Sequence, residues 1–219
     1  MTYRSNAHSA AMAELMERAP FIPVLTIEDA ATAVPLARAL VAGGIPLLEV
    51  TLRTDAALAA IEAIAAAVPD AVVGAGTALH PDQLRAVQRA GARFIVSPGF
   101  TPELLDAADE MAVPLLPGAS TASEVMTLLA RGYTRQKFFP AEPSGGIAML
   151  KALGDPIPQV RFCPTGGIDA AKAPSYLALP NVVCVGGSWV TPKDALASGD
   201  WARITELARG AAALGGRQP

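Results

Sequence analysis

One lysine stands directly before an apolar, strand-like run, Lys137-Phe138-Phe139-Pro140. A lysine that faces a protein interior must find a counter-charge or give up its proton. The neutral amine is a nucleophile toward ketones. For this residue alone the plain alternative is a strand-end lysine that snorkels to water. A carboxylate occupies a comparable position in Pro46–Arg53. With a period of two, Leu48, Val50 and Leu52 share one face, and Leu47, Glu49, Thr51 and Arg53 share the other. An inward Glu49 must be paired or do chemistry. A buried ion pair with Arg161 would keep it silent. The joint pattern weakens both plain readings, because the amine and the carboxylate come from different strands and barrel chemistry is assembled from several strand ends.

Two glycine pairs suggest an anion site. Thr165-Gly166-Gly167-Ile168-Asp169 follows one apolar run and Gly186-Gly187-Ser188 follows the next. Glycine lets backbone N–H groups approach an anion, and the Ser188 hydroxyl adds a donor. Each pair alone could be a tight turn. Gly74-Ala75-Gly76-Thr77 ends a third run with small residues. It leaves room for a ligand, with Thr77 as a donor to a carboxylate, or it serves close strand–helix packing.

The elements that must position these residues alternate. Short apolar runs lie at Phe21–Leu25, Pro46–Leu52, Val72–Thr77, Arg93–Pro98, Pro114–Pro117, Gln136–Pro140, Val160–Pro164 and Val182–Gly186. Ala/Leu-rich segments with helical spacing separate them, and a short extra helix over 8–18 precedes the first. Thr101-Pro102, Thr121, Asp169 and Asp200 are suited to open helices, and Gly43-Gly44, Gly91 and Gly132 to end them. Strands alternating with helices predict a parallel sheet. Eight near-continuous apolar strands predict a closed (β/α)8 barrel over 1–219 as one domain, with an open doubly wound sheet as the alternative. Loops after strands seven and eight of such a barrel commonly bind phosphate, and its chemistry gathers at the strands' carboxyl ends. That places the glycine pairs and Lys137 on one face.

Other classes fit less well. The net charge is -3 with scattered Lys and Arg, so there is no electrostatic footprint for nucleic acid. Ala173–Pro192 lacks Asp, Glu, Lys and Arg and is long enough to span a membrane. It also holds Pro174, Pro180, Asn181, Gly186, Gly187 and Pro192, which a spanning helix would not carry, so buried strand and loop are expected. The first twenty residues show no apolar signal region. Two cysteines, Cys163 and Cys184, and two histidines, His8 and His80, form no zinc motif, and a cytoplasmic protein with reduced thiols is expected. The cysteines are expected in the core and His80 at the surface. Met111, Met126 and Met149 are expected to pack from helices, Trp201 to pack on the barrel wall, and the Gly215–Pro219 tail to fray.

The stretches Leu48-Glu49-Val50-Thr51-Leu52-Arg53-Thr54, Val73-Gly74-Ala75-Gly76-Thr77 and Ser97-Pro98-Gly99 occur in that order. Lys137-Phe138-Phe139-Pro140-Ala141-Glu142, Arg161-Phe162-Cys163-Pro164-Thr165-Gly166-Gly167-Ile168 and Gly186-Gly187-Ser188-Trp189 continue it. Together they cover nearly the whole chain, which resembles the class I family of 2-keto-3-deoxy-6-phosphogluconate (KDPG) and 4-hydroxy-2-oxoglutarate aldolases. The resemblance implies a homotrimeric (β/α)8 barrel without a metal or other cofactor. It implies that Lys137 forms the Schiff base and Glu49 transfers protons. Arg53 and Thr77 would hold the pyruvate-end carboxylate. Thr165 would touch the substrate, and Pro98 and Phe139 would shape the pocket. Gly166, Gly167, Gly187 and Ser188 would hold phosphate. The implied partners are a phosphorylated 2-keto acid, pyruvate and glyceraldehyde 3-phosphate, with no nucleic acid or membrane. A metal-dependent aldolase, a phosphate-sugar isomerase and a catalytically silent barrel that binds a phosphorylated metabolite are competing readings.

Overall fold

The computed structural model describes residues 6–215. The 216–219 part of the tail expected to fray lies outside them. Strands and helices alternate after an initial helix, α1 (Ala7–Met16). The strands are β1 (Phe21–Leu25), β2 (Leu47–Thr51), β3 (Val72–Gly76), β4 (Ile95–Val96), β5 (Leu115–Leu116), β6 (Gly118–Ala119), β7 (Arg135–Phe138), β8 (Arg161–Pro164) and β9 (Val185–Gly187). Every strand pairing is parallel. One sheet runs β5-β4-β3-β2-β1-β9 and the other β6-β7-β8. Single parallel bridges, Phe162 to Val182 and Thr165 to Gly186, link the β8 region to the β9 region.

The expected run Pro114–Pro117 forms only the short β5, and a second short strand, β6, follows Pro117. Proline has no N–H for the ladder, so pairing breaks there. The Pro117 carbonyl still accepts from the Lys137 N–H at 2.9 Å. The last strand begins at Val185, three residues later than its apolar pattern suggests.

Period-two alternation builds two cores. Ile22, Leu47, Phe94, Val96, Leu116, Cys163 and Cys184 face inward and pack with Met12 and Met16 of α1. Their neighbours Phe21, Leu48, Ile95, Leu115 and Phe162 face the helix layer. Leu48 and Val50 lie in that outer layer, as their parity requires. Helix α1 seals the amino-terminal end of the strands. Its Met12 and Met16 are fully buried, each worth about 1.5–3 kcal/mol relative to exposure. Polar ties fix it in place. Leu115 N–H donates to His8 Nδ1 at 3.2 Å, Thr134 N–H donates to Ser9 Oγ at 2.7 Å, and Asn6 N–H donates to the Gly132 carbonyl at 3.0 Å.

Helix ends follow the expected chemistry in most places. Thr101, Thr121 and Asp200 cap the helices Pro102–Asp109, Ala122–Ala130 and Trp201–Ala212. Gly44, Gly91 and Gly132 have φ of 89°, 91° and 86°, the left-handed conformation that ends a helix. Asp169 differs. It binds the N–H groups of Ala171 and Lys172 in a turn, and the helix opens only at Ala173 (Ala173–Leu177). Met126 also differs, being 60% exposed rather than packed. Met111 packs on the core from beyond its helix, while Met149 and Trp201 pack from helices. Cys163 and Cys184 are buried and His80 is exposed. Among the described residues no helix is long and apolar enough to cross a membrane, and Ala173–Pro192 is a short helix, loops and β9.

Candidate active site

Register brings the amine and the carboxylate together. Lys137 pairs with Gly118 on one side and Cys163 on the other, and its side chain points inward. Glu49 lies between Val24 of β1 and Gly74 of β3. Lys137 Nζ lies 3.4 Å from Glu49 Oε1, and both side chains are only 5% exposed. The 3.4 Å separation is long for a charge-assisted hydrogen bond, so the pair is close but not tightly locked. Nζ also sits 5.2 Å from the centre of the Phe139 ring. Phe138 points into the helix layer, where its ring meets that of Phe162 edge-on. Arg161 does not pair with Glu49. Its Nη1 donates to the carbonyls of Pro158 and Val160.

Glycine makes room for the carboxylate. A Cβ on Gly76 would fall 2.2 Å from Glu49 Oε1, so β3 must present no side chain at that position. One residue further along, Arg53 Nε donates to Thr77 Oγ1 at 3.1 Å. Thr77 has φ of 61°, an outlying conformation for a β-branched residue. Arg53 is exposed and Thr77 half-buried, so both reach the mouth above Glu49.

The Thr165 N–H donates to the Phe138 carbonyl at 3.0 Å, and Thr165 bridges to Gly186. Gly166 and Gly167 follow with φ of 105° and 78°. Gly187 is buried. Ser188 is exposed and lines a cavity of about 680 Å³ with Thr26, Thr191 and Lys193, at the carboxyl ends of β1 and β9. Pro98 is half-buried, and its carbonyl lies against Gly118 beside Lys137. Thus Lys137, Glu49 and Phe139 form one contact group, Arg53 and Thr77 a second, and Thr165 with the glycine pairs a third.

Three further groups were not singled out from the sequence. Lys172 Nζ donates to Glu142 Oε2 at 2.7 Å and to the Gly167 carbonyl at 3.0 Å. The Tyr176 hydroxyl donates to Glu142 Oε1. The Lys172 and then the Tyr176 hydrogen bonds hold the Glu142 carboxyl below the usual carboxylate range. Burial, followed by the Glu142 contact, pushes the Tyr176 hydroxyl up. The one sequence signal was that Glu142 closes the motif beginning at Lys137. Inside the sheet, a hydrogen bond with Cys163 and then burial raise the Cys184 thiol well above its ordinary value, so it stays protonated. Among the described residues no group of three or more His, Cys, Asp or Glu could hold a metal ion.

The fold and the site define a parallel α/β protein with a lysine and a glutamate buried side by side near the carboxyl ends of its strands. The sequence profile of the KDPG and KHG aldolases matches residues 12–207. The chain belongs to this family. It is 55% identical over 200 residues to the 2-dehydro-3-deoxy-phosphogluconate aldolase of Pseudoalteromonas atlantica, covering 91% of this chain and 93% of that one. Its structure is similar to that of KDPG aldolase from Legionella pneumophila, at a TM-score of 0.89 and 48% identity over 94% of this chain and 98% of that one. That crystal holds pyruvate as a covalent carbinolamine intermediate. The KDPG aldolase of Zymomonas mobilis with 3-phosphoglycerate matches at a TM-score of 0.89 and 50% identity, over 94% of this chain and 97% of that one.

Proposed function

We propose that this chain is a class I aldolase that cleaves 2-keto-3-deoxy-6-phosphogluconate to pyruvate and glyceraldehyde 3-phosphate. The observation that carries the reading is the buried contact between Lys137 Nζ and Glu49 Oε1. A proton passes from the ammonium to the carboxylate, and the freed amine attacks the C2 ketone. Glu49 hands that proton to the departing hydroxyl, and the carbinolamine loses water to give an iminium ion. The C3–C4 bonding electrons flow to the iminium nitrogen while Glu49, through a water, takes the proton of the C4 hydroxyl. Glyceraldehyde 3-phosphate departs and leaves an enamine. Return of that proton to C3, followed by hydrolysis, releases pyruvate and restores the amine. The iminium nitrogen is the electron sink, so the reaction as written calls for no metal or other cofactor.

Arg53 and Thr77 hold the carboxylate next to the ketone, Thr165 contacts the substrate, and Phe139 and Pro98 wall the pocket. The glycine pairs and Ser188 receive the phosphate. Binding energy from that remote end positions the reacting carbons. We read the two sheets, joined by the bridges at Thr165 and Phe162 and by continuity through Pro117, as one closed (β/α)8 barrel over 1–219. The resemblance supports a homotrimer, which sedimentation would test. The family also includes enzymes of 4-hydroxy-2-oxoglutarate, and cleavage rates on that substrate, KDPG and the 6-phosphogalactonate epimer rank the three.

Borohydride reduction in the presence of pyruvate tests the reading. Mass spectrometry is expected to find the reduced adduct on Lys137. No adduct, or an adduct on another residue, overturns the Schiff-base assignment.

A further inference from the structure

The segment that carries Lys137 does not end its work at Pro140. Ala141 N–H donates to the Thr165 carbonyl at 2.8 Å and Glu142 N–H donates to the Gly166 carbonyl at 3.0 Å. Lys172 Nζ donates to the next carbonyl, that of Gly167, at 3.0 Å. Three successive carbonyls of the glycine loop are thereby held from one flank. Among the described residues no acceptor meets the N–H groups of Gly167 or Ile168. A peptide whose carbonyls are fixed on one side has its N–H groups directed away from them, and such exposed donors suit an anion.

The clamp that does this is compact. Glu142 takes Lys172 on one carboxylate oxygen and the Tyr176 hydroxyl on the other. Tyr176 is buried in the helix Ala173–Leu177, so one end of the clamp is anchored in the helix layer. A Cβ on Gly167 would fall 2.7 Å from Glu142 Cγ, so the loop lies directly against the clamp. The Lys172–Glu142 pair is partly exposed, and an isolated surface pair of that kind contributes little to stability. Its geometry, with both carboxylate oxygens used and the ammonium shared with a loop carbonyl, fits a positioning device better.

We propose that Glu142, Lys172 and Tyr176 are positioning residues that hold the Gly166-Gly167 loop ready for the substrate's phosphate and so favour phosphorylated over unphosphorylated 2-keto acids. The proposal rests on the aldolase reading above. It ties amine and anion cup to one stretch of chain, Lys137 to Glu142, so the span between them is fixed by the protein before substrate arrives. Preorganised donors gain binding by avoiding the ordering cost at association.

The test compares the unaltered chain with Lys172→Met, Glu142→Gln and Tyr176→Phe. The ratio of kcat/KM for 2-keto-3-deoxy-6-phosphogluconate to that for 4-hydroxy-2-oxoglutarate is expected to fall about tenfold in the first two variants and less in Tyr176→Phe. Most of the change should sit in KM for the phosphorylated substrate. Inorganic phosphate binding, followed by calorimetry without turnover, should weaken by a similar factor in Lys172→Met. A ratio and a phosphate affinity that stay constant while the melting temperature drops would assign the clamp to the fold alone and overturn the proposal. Pyruvate trapping contains no phosphate, so it reports on Lys137 separately. Loss of the adduct in the unaltered chain sinks the aldolase reading, whereas the phosphate measurement still decides the clamp.

Discussion

The two ends of the strands treat polar groups in opposite ways. At the amino-terminal end, His8, Ser9 and Asn6 of the helix cap each meet a backbone partner between 2.7 and 3.2 Å. At the carboxyl-terminal end, Lys137 and Glu49 share a contact of 3.4 Å, and Arg53 ends on the strained Thr77. Both sets include buried groups, so burial alone does not separate structure from chemistry. Commitment does. His8, Ser9 and Asn6 are tied to backbone and hold the helix in place, whereas the Lys137–Glu49 pair, at 3.4 Å, is free to exchange one partner for another atom.

The largest way to break this contrast is Lys137→Ala. Activity should fall by on the order of 10⁴-fold or more if the proposed nucleophile is removed. Removing one partner of a buried pair also leaves Glu49 uncompensated, at a cost of about 3–5 kcal/mol. Steady-state kinetics with a denaturant melt checks both, and a variant with substantial turnover would return Lys137 to a purely structural role. Glu49→Gln should lower kcat by about 10²–10⁴-fold and slow the trapping of pyruvate, with the adduct still formed on Lys137. Unchanged turnover would remove Glu49 from proton transfer. Gly76→Ala pushes on the carboxylate without altering either reacting group. Displacing a catalytic group by about 1 Å can cost about 10²-fold, so kcat should drop by up to that factor with the pyruvate adduct still on Lys137.

The smallest effect lies at the other end and sharpens the contrast. Burial, opposed by the charge of Asp109, holds the His8 pKa below its ordinary value. Nδ1 already accepts from Leu115 N–H, so a proton there would put donor against donor. The unfolded chain takes up this proton near pH 6.5 and the folded chain resists it. His8 therefore contributes stability above about pH 6.5 that declines as the pH falls below it. Denaturant melts at pH 7.5 and 5.5 should show that part of the loss disappear in His8→Gln. An identical pH dependence in the variant would separate His8 from acid sensitivity.

Much of this arrangement was legible in the sequence. Strict alternation placed Leu47 and Glu49 on one face and Leu48 and Val50 on the other, because a strand's side-chain period leaves no intermediate choice. The same parity separated Lys137 and Phe139 from Phe138. The partner of Glu49 was not legible. Arg161 and Lys137 lie on neighbouring strands, and only the register decides that Lys137 sits at the level of the carboxylate. The strand that follows Pro117 was not legible, because proline has no N–H for the ladder and marks the end of a run. Glu142, Lys172 and Tyr176 were invisible as a group, because their contacts join a loop to a short helix about thirty residues away, and no periodicity encodes that. Met126 misled because an apolar type in a helix does not specify which side of the helix it occupies.

Thr77 has a consequence for how this chain could be altered by selection. A non-glycine residue held at φ of 61° costs of order 1–3 kcal/mol, and glycine or asparagine relieves much of it. A library screened only for survival at high temperature should therefore drift away from threonine at this position. The same drift would discard the hydroxyl that receives Arg53, the pair proposed to hold the acid end of the substrate, so heat-selected descendants are expected to gain resilience and to bind that end less well.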